Sequence, residues 1–266
     1  MADAEQRLIA LDFDGVLCDS AGETAVAAWR TLPRVWPALA GLGDEPAPAF
    51  TARFIRHRPL IETGWQTVIL ARLILLEADD HHVTSRFALE ADALRADAGL
   101  TPGEMVELFG QTRDHWLAAD PDGWLARNRF YPGVMAALTA ALRRDPDGVV
   151  ILTTKQERFT RQLLEHAGVP LPAERLYGLE RRRAKEDWLA EFAGRQAGGT
   201  AALTLVEDRL DTLLRVAARP GLDAVRLYLA DWGYLTAADR DRAATLARLQ
   251  PLTLAVFCRR LADGTL

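Results

Sequence analysis

The order of apolar and polar positions divides the chain into two regimes. Leu8-Ile9-Ala10-Leu11 is a short apolar run that stops at Asp12-Phe13-Asp14-Gly15, the pattern of a buried strand ending in a polar loop. Runs of this kind lack alternation because helices cover both faces of a parallel sheet. From about residue 19 to residue 128 helical periodicity takes over, at 23–32, 61–77, 85–96 and 102–118, with no convincing strand. Thr101-Pro102-Gly103-Glu104 predicts a capping box with proline at the first helical position. Residues 38–48, rich in Ala, Gly and Pro, predict a loop. Tyr131-Pro132-Gly133 marks a turn, after which the two periods alternate. Strands are expected at 149–152, 176–179, 203–206 and 224–229, and helices at 134–144, 157–166, 184–192, 209–217 and 237–249. Gly168 suits the end of the second of these helices. For 252–258 periodicity leaves strand and helix open.

Alternating β and α elements imply a parallel sheet covered by helices. The expected organisation is an α/β core, residues 1–18 with 129–266, interrupted after its first strand by a helical segment at 19–128. With 266 residues, 49% of them hydrophobic, the chain has enough apolar surface for one large domain or two smaller ones. A formal net charge of -5 gives no electrostatic reason to expect nucleic acid or an anionic membrane as partner. Cys18 and Cys258 form no CxxC pair, which argues against a disulfide scaffold or structural zinc. The first residues contain no apolar signal-like run, and no run approaches the roughly 20 residues of a membrane helix. The expectation is a cytoplasmic protein with both thiols reduced.

In open α/β sheets ligands bind beyond the carboxyl ends of the strands. Asp12 and Asp14 follow the first strand, two residues apart, so an extended backbone points both carboxylates to one side. Thr153, Thr154 and Lys155 follow the second strand. Lys185 stands at the start of the 184–192 helix, and Glu207, Asp208 and Asp211 follow the 203–206 strand. If these strands are neighbours the acids converge, and each like-charge pair about 4 Å apart costs roughly 1 to 4 kcal/mol. A cation removes that penalty, and carboxylate oxygens without His or Cys favour magnesium.

Leu11-Asp12-Phe13-Asp14-Gly15-Val16, the Thr of Val149-Val150-Ile151-Leu152-Thr153, the Lys of Arg183-Ala184-Lys185-Glu186-Asp187 and the acids of Val206-Glu207-Asp208-Arg209-Leu210-Asp211 resemble, in this order, the four motifs of the haloacid dehalogenase superfamily. The resemblance implies a Rossmann-like parallel-sheet core with an inserted α-helical cap of the C1 type. It further implies a magnesium-dependent phosphatase acting on a small phosphorylated metabolite. Asp12 would be the nucleophile and Asp14 the general acid and base, with Thr153 and Lys185 holding the phosphoryl oxygens. The metal set implied is Asp12, the main-chain carbonyl of Asp14, and Glu207 or Asp208. The family's fourth motif often begins Gly-Asp; matching its second Asp to Asp211 favours Glu207, and matching the strand end favours Asp208. Asp211 is expected to orient the loop or Lys185. An acid at Asp14 favours phosphoryl transfer, because the family's dehalogenases lack one there.

Thr154 and the helical segment's Arg56 and Arg58 are candidates for gripping the substrate. The Asp231-Trp232-Gly233-Tyr234 turn reads either as a rim of the site or as a structural turn. Two rivals stand beside the phosphatase: a phosphoglucomutase-like phosphoryl transferase, and a non-catalytic binding or regulatory protein on the same fold. A phosphonate hydrolase would need a lysine in the helical segment, and residues 19–128 contain none.

Overall fold

A computed structural model of the chain describes residues 7–76, 79–196 and 198–266. In chain order the elements begin with strands β1 (Leu8–Leu11) and β2 (Cys18–Asp19). Helices α1 (Ala21–Val35), α2 (Pro48–His57), α3 (Gly64–Leu76), α4 (Asp80–Asp97), α5 (Pro102–Ala119) and α6 (Pro121–Ala126) follow. Then come β3 (Arg129–Phe130), α7 (Val134–Arg144), β4 (Val149–Leu152), α8 (Glu157–His166), β5 (Leu176–Tyr177) and α9 (Lys185–Arg195). The chain closes with β6 (Leu203–Glu207), α10 (Leu210–Ala218), β7 (Arg226–Ala230), α11 (Ala237–Ala244), β8 (Leu249–Leu252) and α12 (Leu254–Asp263). It divides into two compact units: the residues up to Asp19 together with Phe130–Leu266, and Ser20–Arg129.

The first unit is built on a six-stranded parallel sheet in the order β5-β4-β1-β6-β7-β8. All four residues of β1 are buried, as are all four of β4 and all five of β6, which explains why these runs are apolar on both faces. Leu8 and Ala10 of β1 join Val150, Leu152, Leu203 and Leu205 in a core completed by Leu189 and Phe192 of α9 and Leu213 and Val216 of α10. α7 and α12 pack on each other elsewhere in this unit. β1 pairs with β4 on one side (Ile9 opposite Val149) and with β6 on the other (Leu8 opposite Leu203). The three strands therefore end at one level, where open sheets place their ligands.

The second unit is helical, with no strand among its described residues before Arg129. Its interior holds an ion pair: Arg113 donates from Nε to Glu23 Oε1 (2.8 Å) and from Nη2 to Glu23 Oε2 (2.7 Å), and Trp124 Nε1 adds a third donor (3.1 Å). Three donors on one carboxylate meet the condition under which a buried charge is tolerated. The capping box of Thr101 and Glu104 forms, with Pro102 in the first turn.

Several elements differ from the sequence expectation. α2 begins at Pro48, where the loop reading ended, and α6 was not anticipated. The 61–77 helix starts at Gly64 and its last expected residue, Glu77, lies outside the described residues. The strand expected at 176–179 stops at Tyr177. Gly178 N donates to Glu157 Oε1 (3.0 Å) and Leu179 N to Lys155 O (3.1 Å), which draws the chain into a 3-10 turn. The helix expected at 237–249 ends at Ala244, and Leu249–Leu252 is an edge strand containing Pro251, a residue that sheet edges tolerate. The stretch left open at 252–258 is helix α12, capped by the Thr253 hydroxyl. No helix among the described residues is long and apolar enough to cross a membrane.

Candidate active site

Parallel register brings the residues that follow β1, β4 and β6 to one edge of the sheet. Lys185, the first residue of α9, reaches the same place. Its Nζ donates to Asp12 Oδ1 (2.6 Å) and to Glu207 Oε2 (2.6 Å). The other Glu207 oxygen accepts from the backbone N–H groups of Asp208 (3.1 Å) and Arg209 (3.0 Å), which anchors that carboxylate to its own loop. Burial disfavours the Lys185 charge, but the Asp12 and Glu207 carboxylates outweigh it and hold its pKa above the ordinary lysine value. Asp12 is 6% exposed. Its pKa is pushed up to about 7, first by burial and next by the Glu207 charge, against the downward pull of Lys185.

Asp14 stands in a second ion pair. Lys155 Nζ lies 3.1 Å from Asp14 Oδ1 and 3.5 Å from Oδ2. Lys155 N donates to the Thr153 hydroxyl (3.0 Å), and Lys155 O accepts from Leu179 N (3.1 Å), so its backbone is held from both sides. Thr153 is buried and Thr154 exposed.

Asp208, 1% exposed, packs between two glycines. A Cβ on Gly15, whose φ is +92°, would sit 1.9 Å from Asp208 Oδ2, and a Cβ on Gly233 would sit 2.3 Å from Asp208 Cβ. The same carboxylate oxygen accepts from Tyr234 N (2.8 Å). The Tyr234 hydroxyl donates to Asp19 Oδ1 (2.9 Å), and Trp232 Nε1 donates to Val16 O (3.1 Å). The turn after β7 thus braces both Asp208 and the loop after β1. Beside it, burial and then the charges of Asp19 and Asp208 push the Tyr131 pKa up, so its hydroxyl stays neutral.

One oxygen from each of Asp12, Glu207 and Asp208 lies within 4.8 Å of the other two. Three carboxylates without His or Cys form a donor set for a hard cation. With Asp14 there are four acidic groups and two ammonium groups, Lys155 and Lys185, an acid-rich edge whose repulsion a divalent ion would relieve.

No protein-family model and no curated protein matches the chain. Solved structures do. A predicted phosphatase from Clostridium acetobutylicum aligns over 98% of this chain and 100% of its own at a TM-score of 0.59 and 13% identity. A HAD family hydrolase from Deinococcus radiodurans, with bound phosphate and sodium, aligns over 99% and 97% at 0.55 and 16%. A predicted phosphoglycolate phosphatase from Haemophilus somnus aligns over 88% of each chain at 0.53 and 16%. The chain has the haloacid dehalogenase fold. Nearly full-length alignment at such low identity means that what is shared is the architecture, both sheet and helical insertion.

Within this haloacid dehalogenase fold, Asp12, Asp14, Thr153, Lys185, Glu207 and Asp208 all lie at the carboxyl edge of the sheet. Glu207, the nearer match to the fourth motif, and Asp208, the alternative, both join Asp12 in the acidic cluster. Asp211 is exposed in the first turn of α10, and Lys185 is oriented by Asp12 and Glu207 instead. The arginines ahead of Lys185 are not a continuation of its role: Arg181 pairs with Glu157 (2.8 Å) and Arg183 with Glu191. Arg56 and Arg58 belong to the helical unit and have partners there. Arg56 Nη2 meets Asp80 Oδ2 (2.8 Å), alongside Arg53 and His57, and Arg58 Nη1 donates to Ile61 O (3.3 Å). Hydrogen bonds from Arg53, Arg56 and His57 keep the Asp80 carboxyl well below its usual range.

Sequence reasoning noted Lys155 but gave it no part in the site. Composition carried a signal: Lys155 and Lys185 are the only lysines in the chain, every other strong base being arginine. Both are tied to the acids at this edge of the sheet.

Proposed function

We propose that the chain is a cytoplasmic, magnesium-dependent phosphomonoesterase acting on a small phosphorylated metabolite through an aspartyl-phosphate on Asp12. The observation that carries the reading is the meeting of Asp12 with Lys185, Glu207 and Asp208 in one buried cluster. Asp14 and Lys185 keep 16% and 12% of their side-chain surface exposed, which leaves the cluster a way to solvent.

Asp12, Glu207, Asp208 and the main-chain carbonyl of Asp14 would hold the magnesium ion. When bound, it supplies Lewis acidity to a phosphoryl oxygen and relieves the repulsion among the acids. The chain's own residues do the rest. An Asp12 carboxylate oxygen attacks phosphorus in line; the new oxygen–phosphorus bond forms as the ester bond breaks. Asp14 gives its proton to the departing oxygen. It then takes a proton from the water that attacks the same phosphorus and frees Asp12. The Lys185 ammonium and the Thr153 hydroxyl bind the phosphoryl oxygens as charge develops on them, with Thr154 at the edge. Ser20–Arg129 occupies the position in the chain at which the family inserts its C1 cap. In this reading Arg56 and Arg58 are candidates for binding the part of the substrate remote from phosphorus.

The test is phosphate release from a panel of phosphorylated metabolites, phosphoglycolate and sugar phosphates among them, with Asp12→Asn as the blank. Release should require added magnesium, stop with chelator, and fall by about a thousandfold or more in the variant. Turnover that survives either the chelator or the substitution refutes the assignment.

A further inference from the structure

Taking the phosphatase reading as its ground, we propose that Lys155 is a positioning residue for Asp14, holding the carboxyl where it meets the leaving oxygen of the substrate. Three observations converge. The Lys155 side chain is 1% exposed and its ammonium lies 3.1 Å from Asp14 Oδ1. Its backbone is pinned by the Thr153 hydroxyl and by Leu179 N, so the ammonium has a firm base. Asp14 sits in the loop after β1, where its backbone bridges to Cys18 and the neighbouring Gly15 adopts a left-handed φ of +92°, and the Lys155 ammonium meets its carboxylate there.

A flexible four-carbon stem carrying a point charge suits this task, since it can stay with the Asp14 carboxyl through small movements. An acid that transfers its proton in the transition state must lie within hydrogen-bond reach of the receiving atom. Small misplacement at such a site costs large factors in rate. Lys155 touches neither phosphorus nor the attacking oxygen in this account. It acts through Asp14 alone, whereas Lys185 acts on the phosphoryl group. The two lysines thus divide the labour between the two ends of the breaking ester bond.

Leaving-group chemistry separates this role from a merely structural one. When the P–O bond of an alkyl ester breaks, the alkoxide must receive a proton, here from Asp14. When that of p-nitrophenyl phosphate breaks, the nitrophenolate departs without one. Both esters share every other step, including hydrolysis of the aspartyl-phosphate. Turnover of glycerol 2-phosphate and p-nitrophenyl phosphate is therefore compared in wild type, Lys155→Met, Asp14→Asn and the double variant, with magnesium present. Lys155→Met should slow the alkyl ester about tenfold more than the aryl ester, and in the Asp14→Asn background it should change that ratio by less than about twofold. Equal losses on both esters, or a ratio change that persists without Asp14, overturns the inference alone. A wild-type chain that turns over neither ester sinks the phosphatase reading and this inference with it.

A second measurement reads the pairing without kinetics. Because the chain has two lysines, lysine-selective 13C labelling yields two side-chain signals. Asp14→Asn should move one of them, assigned to Lys155 by its loss in Lys155→Arg. An unmoved Lys155 signal would overturn the pairing.

Discussion

Burial and the Glu207 carboxylate raise the Asp12 pKa to about 7 from an ordinary 3.8, and the consequence for stability has a definite sign. Between those values the folded chain keeps a proton on Asp12 that the unfolded chain has released. The folded state then binds more protons, so this contribution is fully present below the unfolded pKa and is lost as pH rises through about 7. Metal-free protein should lose denaturation midpoint from this group as pH climbs over that window, and Asp12→Asn should remove that part of the slope. The same proton competes with a cation for Asp12. Magnesium affinity should weaken as pH falls below about 7, with proton release on binding, measured by calorimetry in buffers of different ionisation enthalpy. Affinity independent of pH across that range would separate Asp12 from the metal. At this scale the sequence was informative wherever a reactive residue directly followed an apolar run. That rule singles out Asp12, Asp14, Thr153, Glu207 and Asp208 as candidates, and the parallel sheet brings Asp12, Glu207 and Asp208 into one cluster. Lys155 also follows a strand, but its partner lies 141 positions away, and nothing local distinguishes an inward lysine from a solvated one.

Asp208 depends on backbone that comes from two other loops, and this dependence belongs to the elements. Gly15 and Gly233 press on it so closely that a methyl group on either overlaps Asp208 atoms, at 1.9 Å from Oδ2 and 2.3 Å from Cβ. Gly15→Ala adds the strain of a left-handed φ. Either substitution should destabilise the protein by about 2 to 4 kcal/mol, read as a lowered denaturant midpoint. Either should also weaken magnesium binding, because the side chain displaced is a proposed ligand. Stability loss with unchanged affinity would take Asp208 out of the metal set. The turn carrying Gly233 was legible as a turn, yet its link to Asp208 was not, since it arises only once β7 lies beside β6. Element reading succeeded where periodicity was long or bounded by caps, as in α7 and α8, whose limits match the expectation at both ends. It failed at β8, a four-residue edge strand buried only at its ends, and at α2, which opens with Pro48 inside a stretch whose composition resembles a loop.

Across the whole molecule, the site joins stretches of chain that are far apart in sequence. β1 and β6 supply the clustered acids, β4 and α9 supply the lysines, and Ser20–Arg129 is spliced between β1 and the rest. An ion that binds Asp12, Glu207 and Asp208 together therefore binds only when β1 and β6 are paired, and its affinity is linked to folding of the first unit. In the metal-free chain that pairing brings like charges together, relieved in part by Lys185. At a free magnesium concentration about a hundred times the dissociation constant, linkage adds about 2.7 kcal/mol. At about 2 to 4 °C for each kcal/mol in chains of this size, the thermal midpoint should rise by roughly 5 to 10 °C. Asp208→Asn should lose most of that shift. Sodium at matched ionic strength should reproduce little of it, because screening acts weakly on carboxylates this deeply buried and a monovalent ion attracts them less strongly than a divalent one. Identical midpoints with magnesium and with sodium would mean that the cluster is stabilised by general screening, and the divalent-ion account of the site would have to be given up.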